Sequence, residues 1–302
     1  MKTVLWCLGI VLILFLLFLE ELYRYVFCRK SSALFTRLFD SKGHEDRYYQ
    51  VRDAAKARLQ ELPCQRFTIR SDRGEQLRGF YYSFGAGGKK IAFIIHGYRS
   101  EHAETAGMFA DYYRSRGIDV FCCDHTASGE SEGKFIGFDL FETEDCLKWI
   151  SFLTDRFGDD IQILLHGFSM GAATVMKMSG RCPEQVKCIV EDSGYESAKA
   201  SLRHMVGPLY GPLRLVNRAV AGYDLNASDV KESLSEASLT ILFIHGQDDR
   251  LVPYFNGPKL FDFYSGEKDC FFPEKTRHIE SMYTSPEAYS RKLDALIARS
   301  FR

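Results

Sequence analysis

A serine between two glycines is the group in this chain best placed to act as a nucleophile. The pentapeptide Gly167-Phe168-Ser169-Met170-Gly171 follows the apolar run 161–165 and precedes small residues that suit a helix. A strand, a sharp turn and a helix in this order form a nucleophile elbow, which lifts the serine hydroxyl above a sheet. We expect side chains at either glycine to collide with the neighbouring strand and helix. The free N–H groups and the positive dipole end of the new helix favour a negative oxygen at the same place.

A serine hydroxyl needs a base within hydrogen-bond reach, and that base needs an orienting group. After a nucleophile elbow, the expected order along the chain is serine, acid and histidine. Three of the eight histidines follow Ser169. His204 lies in a segment without strand pattern, and His245 ends a strand before a glycine, where a structural role is expected. His278 lies between the last strand and the last helix, and it is the predicted base.

The acid is expected on the loop that follows the apolar strand 239–244. That loop contains two adjacent carboxylates, Asp248 and Asp249, and both fit by position. Asp192, which follows the preceding strand, is a weaker third candidate. The spacing alone leaves the choice open.

Two backbone N–H groups are needed to stabilise the negative oxygen that forms when a carbonyl is attacked. One is predicted to be that of Met170, the residue after the nucleophile. The other is predicted at Tyr98, on the loop that follows the apolar run 91–95. The sequence therefore predicts an oxyanion hole between two loops at one edge of a sheet.

The elements that must position these groups alternate between strand and helix. Short, mostly apolar runs are typical of central parallel strands, and they occur near residues 91–95, 118–123, 161–165, 186–190 and 239–244. With helices between them, they predict an α/β fold with a mostly parallel, doubly wound sheet. Two earlier runs, 66–70 and 77–82, predict an antiparallel hairpin at the sheet edge. Residues 196–237 carry only helical patterns and predict a cap over the carboxyl edge.

The N-terminus carries a separate signal. Residues 3–19 are almost continuously apolar, between Lys2 and the pair Glu20-Glu21, and this length is at the short end of a membrane span. Because no small-x-small cleavage site follows, an uncleaved transmembrane helix is expected rather than a signal peptide or a buried helix. The chain then divides into an anchor, residues 1–30, and a catalytic domain, residues 31–302. Basic residues after the span favour a cytoplasmic domain, but the short N-terminus and the acidic pair leave both orientations open.

Composition restricts the partners. The net charge of −1 gives no reason to expect nucleic acid as a partner. Nine scattered cysteines, with Cys122 and Cys123 adjacent, predict reduced and mostly buried thiols rather than a disulfide framework. The spacing of histidines, cysteines and acids predicts no metal site and no cofactor.

Four motifs together resemble the α/β-hydrolase superfamily: His96-Gly97-Tyr98, Gly167–Gly171, His245–Pro253 and His278-Ile279-Glu280-Ser281. More narrowly, the chain is similar to membrane-anchored bacterial hydrolases of the serine aminopeptidase and monoacylglycerol-lipase-like branch, over about residues 45–302. In that family the acid stands in His-Gly-x-x-Asp-x-x-Val-Pro, which implies Asp249 rather than Asp248. The family's Asp-x-Arg-Gly-x-Gly-x-Ser reads Asp124–Ser131 here, with the arginine and the first glycine replaced, so the usual interactions of that loop are not expected.

The resemblance and the triad imply a serine hydrolase that acts on a lipid-like or acyl ester without a cofactor. Hydrolysis of an amide or an N-terminal peptide bond is the alternative chemistry. A catalytically silent, membrane-tethered binding protein is a third hypothesis, although such proteins usually lose a triad residue. Apolar residues of the insert either line an acyl pocket or only seat the cap on the sheet; these are Met205, Val206, Leu209, Tyr210, Leu213, Leu215 and Val216.

Overall fold

The computed structural model describes residues 2–32, 35 and 46–301. Within these residues, eight strands form one sheet in the order β1-β2-β4-β3-β5-β6-β7-β8. Strands β3 to β8 run parallel, as expected, while β2 pairs antiparallel with both β1 and β4. The strands are β1 Gln65–Arg70, β2 Gln76–Tyr82, β3 Lys90–Ile95, β4 Asp119–Asp124, β5 Gln162–Phe168, β6 Val186–Asp192, β7 Thr240–Ile244 and β8 Lys268–Phe271.

Helices cover both faces of this sheet. In the described part of the chain they are α1 Lys2–Phe27, α2 Asp46–Gln60, α3 His102–Arg114, α4 Leu140–Phe157, α5 Met170–Met178, α6 Ala198–Val206, α7 Tyr210–Val220, α8 Lys231–Glu236, α9 Asn256–Phe263, α10 Ser281–Thr284 and α11 Pro286–Ser300. Alternate residues of β3 join different cores: Ile91, Phe93 and Ile95 pack with α4, whereas Ala92 and Ile94 pack with α3 and α11. This alternation explains why the strand sequence is apolar throughout.

The cap has the predicted helical character. Residues 196–237 contain α6, α7 and α8 and no strand among the described residues. Leu202, Leu213 and Leu234 are buried and seat the cap on the domain.

The connector between the apolar N-terminus and the sheet is only partly described. It contains the helix α2, Asp46–Gln60, which packs on the domain through Tyr48 and Leu59, while Val51 is exposed. The part of the connector at 33–34 and 36–45 lies outside the described residues.

Among the described residues, α1 is the helix long and apolar enough to cross a membrane. It does not end where the domain begins. Its last turns enter the same hydrophobic core as the sheet, with Val26 and Phe27 fully buried. Phe27 O also accepts a hydrogen bond from Ile136 N at 2.9 Å. The expected boundary at residue 30 therefore runs through a packed region.

Candidate active site

The nucleophile elbow has the strained geometry that its sequence predicts. Ser169 lies between the end of β5 and the start of α5 with a backbone φ of 54° and ψ of −113°, a conformation that residues other than glycine rarely adopt. A Cβ on Gly167 would lie 2.3 Å from Gly171 O, and one on Gly171 would lie 2.1 Å from Ile95 O. The predicted collisions at both glycines are confirmed. The hydroxyl therefore stands on a turn that only this pattern of glycines permits.

Asp249 and His278 are hydrogen-bonded to each other. Asp249 Oδ2 lies 2.7 Å from His278 Nδ1, and Asp249 Oδ1 accepts N–H bonds from Leu251 at 3.0 Å and Val252 at 2.9 Å. Burial alone would raise the pKa of this carboxyl, but the charges and hydrogen bonds of His278 and His245 outweigh burial and hold the pKa below its usual range. Asp249 therefore stays ionised and fixes the orientation of the imidazole.

Ser169 and His278 line the same cavity, together with Met170 and Tyr98. The described residues form no hydrogen bond to His278 Nε2 or to the Ser169 hydroxyl. The two groups thus share the cavity without being bonded to one another. In structures without substrate such catalytic bonds are often long and tighten only when substrate binds.

The two predicted oxyanion donors lie on either side of Ser169. Met170 opens α5, so its N–H has no acceptor within the helix. Tyr98 follows Gly97, where a Cβ would lie 3.1 Å from Phe168 O and 3.2 Å from Ser169 Cβ. The loop after β3 therefore passes directly against the elbow.

The other candidate acids and bases are not hydrogen-bonded to His278. Asp248 is exposed at the cavity wall, while Asp192 accepts hydrogen bonds from Ser193 Oγ at 2.9 Å and Tyr289 OH at 3.0 Å. His245 is buried, with Nε2 at 2.9 Å from Val252 O and 3.2 Å from Asp249 Oδ2, and it does not line the cavity. His204 has Nε2 at 3.2 Å from Arg250 O. None of these residues bonds to His278.

A buried network of hydrogen-bonded side chains lies beneath the site, and the sequence did not predict it. His166 Nδ1 lies 2.8 Å from Tyr113 OH, and its Nε2 lies 2.8 Å from Tyr289 OH. Because Tyr289 donates its proton to Asp192, Nε2 must carry the proton of the ring. Asp192 in turn accepts from Ser193 Oγ, and that oxygen accepts the N–H of Ile279 at 3.3 Å. This hydrogen-bond network thus supports the loop that carries His278. The sign of the network in the sequence is the carboxylate of Asp192 at the end of an apolar strand.

The loop after β4, where the family motif is altered, is organised around Asp124. Its carboxylate accepts the backbone N–H of His102 at 2.9 Å and that of Glu130 at 2.7 Å, and it lies 2.9 Å from His102 Nδ1. A Cβ on Gly129 would lie 2.1 Å from the same carboxylate. The histidine at the start of α3 therefore supplies a hydrogen-bonding partner that the sequence did not reveal.

One cluster can hold a metal ion, although spacing gave no sign of it. Cys123, His125 and Cys146 are buried, with their ligand atoms within 4.8 Å of one another. His125 Nε2 lies 3.1 Å from His96 O, and its Nδ1 has no protein partner among the described residues. This donor set suits a soft ion such as Zn²⁺. None of the three residues lines the cavity that contains Ser169.

The cavity has a volume of about 1770 Å³. Of the insert residues, Met205, Val206 and Leu209 line it. Tyr210 and Leu213 are instead buried in the cap, Leu215 is 63 % exposed and Val216 packs against the core. Some of the insert residues therefore line the cavity, while others pack in the cap or against the core.

Comparison with known proteins supports the same fold. The family described as "Serine aminopeptidase, S33" matches residues 87–193. The uncharacterized protein YqkD of Bacillus subtilis is 23% identical over 243 residues, covering 76% of this chain and 78% of the relative. Lysophosphatidylserine lipase ABHD12 of Danio rerio is 26% identical over 196 residues, covering 57% of this chain and 49% of the relative.

Among solved structures, the esterase Pf2001 of Pyrococcus furiosus is similar with a TM-score of 0.64 at 17% identity. The similarity covers 81% of this chain and 93% of the esterase. At this identity the likeness establishes the fold and not the substrate.

Proposed function

We propose that this chain, which belongs to the α/β-hydrolase superfamily, is a serine hydrolase that cleaves a carboxylic ester through an acyl-enzyme intermediate. The observation that carries the proposal is the short Asp249–His278 hydrogen bond beside a cavity that also contains Ser169 on a strained elbow. A nucleophile, an oriented base and two N–H donors are what acyl transfer requires.

In the proposed reaction, the Nδ1–H group of His278 donates a hydrogen bond to Asp249 and keeps its proton, so Nε2 is free to accept one. Nε2 takes the proton of the Ser169 hydroxyl as Oγ attacks the ester carbonyl. The N–H groups of Met170 and Tyr98 stabilise the negative oxygen. The tetrahedral intermediate collapses, the C–O bond breaks, and His278 returns the proton to the leaving alcohol.

Water then enters the cavity and repeats the sequence. His278 removes a proton from the water as it attacks the acyl-enzyme, and the same two N–H groups hold the second oxyanion. Release of the carboxylic acid returns the proton to Ser169. Asp249 stays ionised throughout, because its role is to stabilise the charged imidazole.

Apolar groups from the cap suit the acyl part of an ester substrate. Met205, Val206 and Leu209 line the cavity beside Ser169. Burial of acyl methylenes against such a wall contributes about 0.8 kcal/mol for each CH₂ group. The esterase among the structural neighbours and the lipase among the relatives support the same chemistry.

Amide hydrolysis is the second candidate, favoured by the matching family's description as a serine aminopeptidase. An aminopeptidase must bind a substrate ammonium group, and the exposed carboxylate of Asp248 at the cavity wall offers one acceptor for it. Turnover of aminoacyl-naphthylamides above that of p-nitrophenyl esters would favour this candidate.

Substitution of the nucleophile tests the proposal. Ser169→Ala is expected to abolish turnover of p-nitrophenyl esters, while Ser151→Ala, an exposed serine on α4, retains it. The same assay with p-nitrophenyl esters of increasing chain length reports the size of the acyl pocket. Full ester turnover by Ser169→Ala would refute the proposed function.

A further inference from the structure

Helix α1 changes its surroundings along its length. From Val4 to Phe18 its large apolar side chains are 42–74 % exposed, whereas Leu19, Leu22 and Val26 are buried in the core of the catalytic domain. At 1.5 Å per residue the exposed stretch is about 22 Å long, most of the ~30 Å hydrocarbon core of a bilayer. The helix continues from one environment into the other without a linker, so a membrane around the exposed stretch would lie directly against the catalytic domain.

Three side chains of α1 form part of the cavity wall. Phe18, Leu22 and Tyr25 are spaced by four and three residues, which places them on one face of the helix. Phe18 belongs both to the exposed apolar stretch and to the cavity wall. The cavity therefore reaches the level at which α1 would leave the membrane.

The end of α1 also holds the loop that carries the proposed oxyanion donor. Tyr98 OH donates to Val26 O at 2.8 Å, and Arg99 Nε donates to Tyr98 OH at 2.8 Å. The Arg99 guanidinium donates to Cys28 O at 3.2 Å and to Tyr25 O. Carbonyls at a helix C-terminus are free to accept such bonds, and the helix dipole favours a cation there. Helix α1 is thus hydrogen-bonded to the loop of the proposed oxyanion donor.

We propose that α1 is a substrate-binding element and that the substrate is an acyl ester resident in the membrane, with its acyl chain lying against Phe18 and Leu22. The inference rests on the serine hydrolase function proposed above. The cavity of about 1770 Å³ exceeds the roughly 300–1,000 Å³ typical of sites for small ligands. An acyl chain that moves along α1 passes from the bilayer to the apolar wall of Met205 and Leu209 without crossing water. A short water-soluble ester gains little from that wall.

Phe15 and Phe18 form a matched pair for the test. Both are phenylalanines with 42 % exposure on the same helix, but only Phe18 is among the residues that line the cavity. The full chain is reconstituted in phosphatidylcholine vesicles and assayed with a long-chain umbelliferyl ester in the bilayer and a short-chain ester in water. Phe18→Ala is expected to lower the long-chain to short-chain ratio of kcat/KM about fivefold, because the acyl chain loses an apolar contact. Phe15→Ala is expected to leave the ratio unchanged.

A second readout separates binding from turnover. Long-chain and short-chain alkyl fluorophosphonates label the nucleophile directly, and the ratio of their labelling rates is expected to fall in Phe18→Ala but not in Phe15→Ala. Equal ratios in the two variants, or a wild type that does not prefer the bilayer ester, would overturn the role of α1. Ester turnover by Ser169→Ala would instead overturn the proposed function itself, so the two failures are distinguishable.

Discussion

Two Asp–His pairs lie at the carboxyl edge of the same sheet, one after β4 and one after β7. Asp124 Oδ1 lies 2.9 Å from His102 Nδ1, and Asp249 Oδ2 lies 2.7 Å from His278 Nδ1. Burial raises the pKa of both carboxyls, yet the hydrogen bond and charge of the histidine in each pair keep the pKa below its usual value. In distance and electrostatics the two pairs are nearly the same.

The two pairs differ in the surroundings of the histidine ring. The His102 ring is stacked on Phe80, with centroids 3.5 Å apart and an angle of 8° between the planes, and it does not line the cavity. Asp124 also binds the N–H of Glu130, so that pair folds a loop. His278 instead lines the same cavity as Ser169, while its Nδ1 is bonded to Asp249. An acid–histidine pair therefore indicates a catalytic site only when the other ring nitrogen of the histidine can reach a nucleophile.

The largest expected effect is the difference in kcat/KM between alanine substitutions of the two histidines. His278→Ala should lower kcat/KM for a p-nitrophenyl ester by about 10⁴-fold, because the Ser169 proton then has no acceptor. His102→Ala should change kcat/KM per active site by less than about tenfold, since a loop contact and no reacting atom is lost. Steady-state kinetics, normalised by the concentration of folded protein from circular dichroism and absorbance, measure both. Comparable losses in the two variants would remove the distinction.

The second largest effect is the difference in kcat/KM between asparagine substitutions of Asp249 and Asp248. Asp249→Asn should lower kcat/KM by about 10³-fold, because the amide neither stabilises the imidazolium nor enforces the required tautomer. Asp248→Asn is the matched control, since Asp248 is adjacent and exposed, and it should retain nearly full activity. If Asp248→Asn were the inactive variant, the acid would have to be reassigned.

Stability is expected to show the role of the first pair. Asp124→Asn should lower the free energy of unfolding by about 3 kcal/mol, because it leaves buried donors of the loop poorly paired. Asp248→Asn should shift it by less than about 0.5 kcal/mol. Urea unfolding followed by circular dichroism provides the measurement. A neutral Asp124→Asn would mean that the loop does not need its carboxylate.

A third histidine, His166, extends the comparison to a ring held by hydroxyls instead of a carboxylate. Burial lowers its pKa to about 3, so below the unfolded pKa of about 6.5 the unfolded chain binds a proton that the folded chain does not. The stabilising contribution is thus complete above about pH 6.5 and declines as the pH falls toward the folded pKa.

The stability advantage of the wild type over His166→Asn should therefore shrink by about 2 kcal/mol between pH 6.5 and pH 5. Urea titrations of both proteins at the two pH values measure this difference. An advantage that is independent of pH would show that the ring is protonated, or solvated, in the folded state.

The sequence predicted the strands, the cap and the position of the elbow because each depends on local pattern. An apolar strand before Gly167 and a small-residue helix after Gly171 leave few alternatives for the turn between them. The choice between Asp248 and Asp249 came from the family motif, since two adjacent carboxylates on one loop differ only in direction. Their direction is set by the N–H groups of Leu251 and Val252, which no pattern reveals.

Contacts between distant elements could not be predicted in this way. The pairing of His102 with Asp124 depends on how α3 packs at the end of β4, and the meeting of Cys123 with Cys146 depends on how α4 packs on that strand. The apolar N-terminus predicted a helix that could cross a membrane, and the structure contains such a helix. Tertiary packing alone shows that the last turns of this helix enter the core and line the cavity.

Active-site labelling tests the central claim most directly. The full chain is treated with a fluorophosphonate, digested, and analysed by mass spectrometry to locate the phosphonylated residue. The account predicts one stoichiometric adduct on Ser169, which is lost in Ser169→Ala and forms far more slowly in His278→Ala. An adduct on another serine, or no adduct on the folded protein, would contradict it.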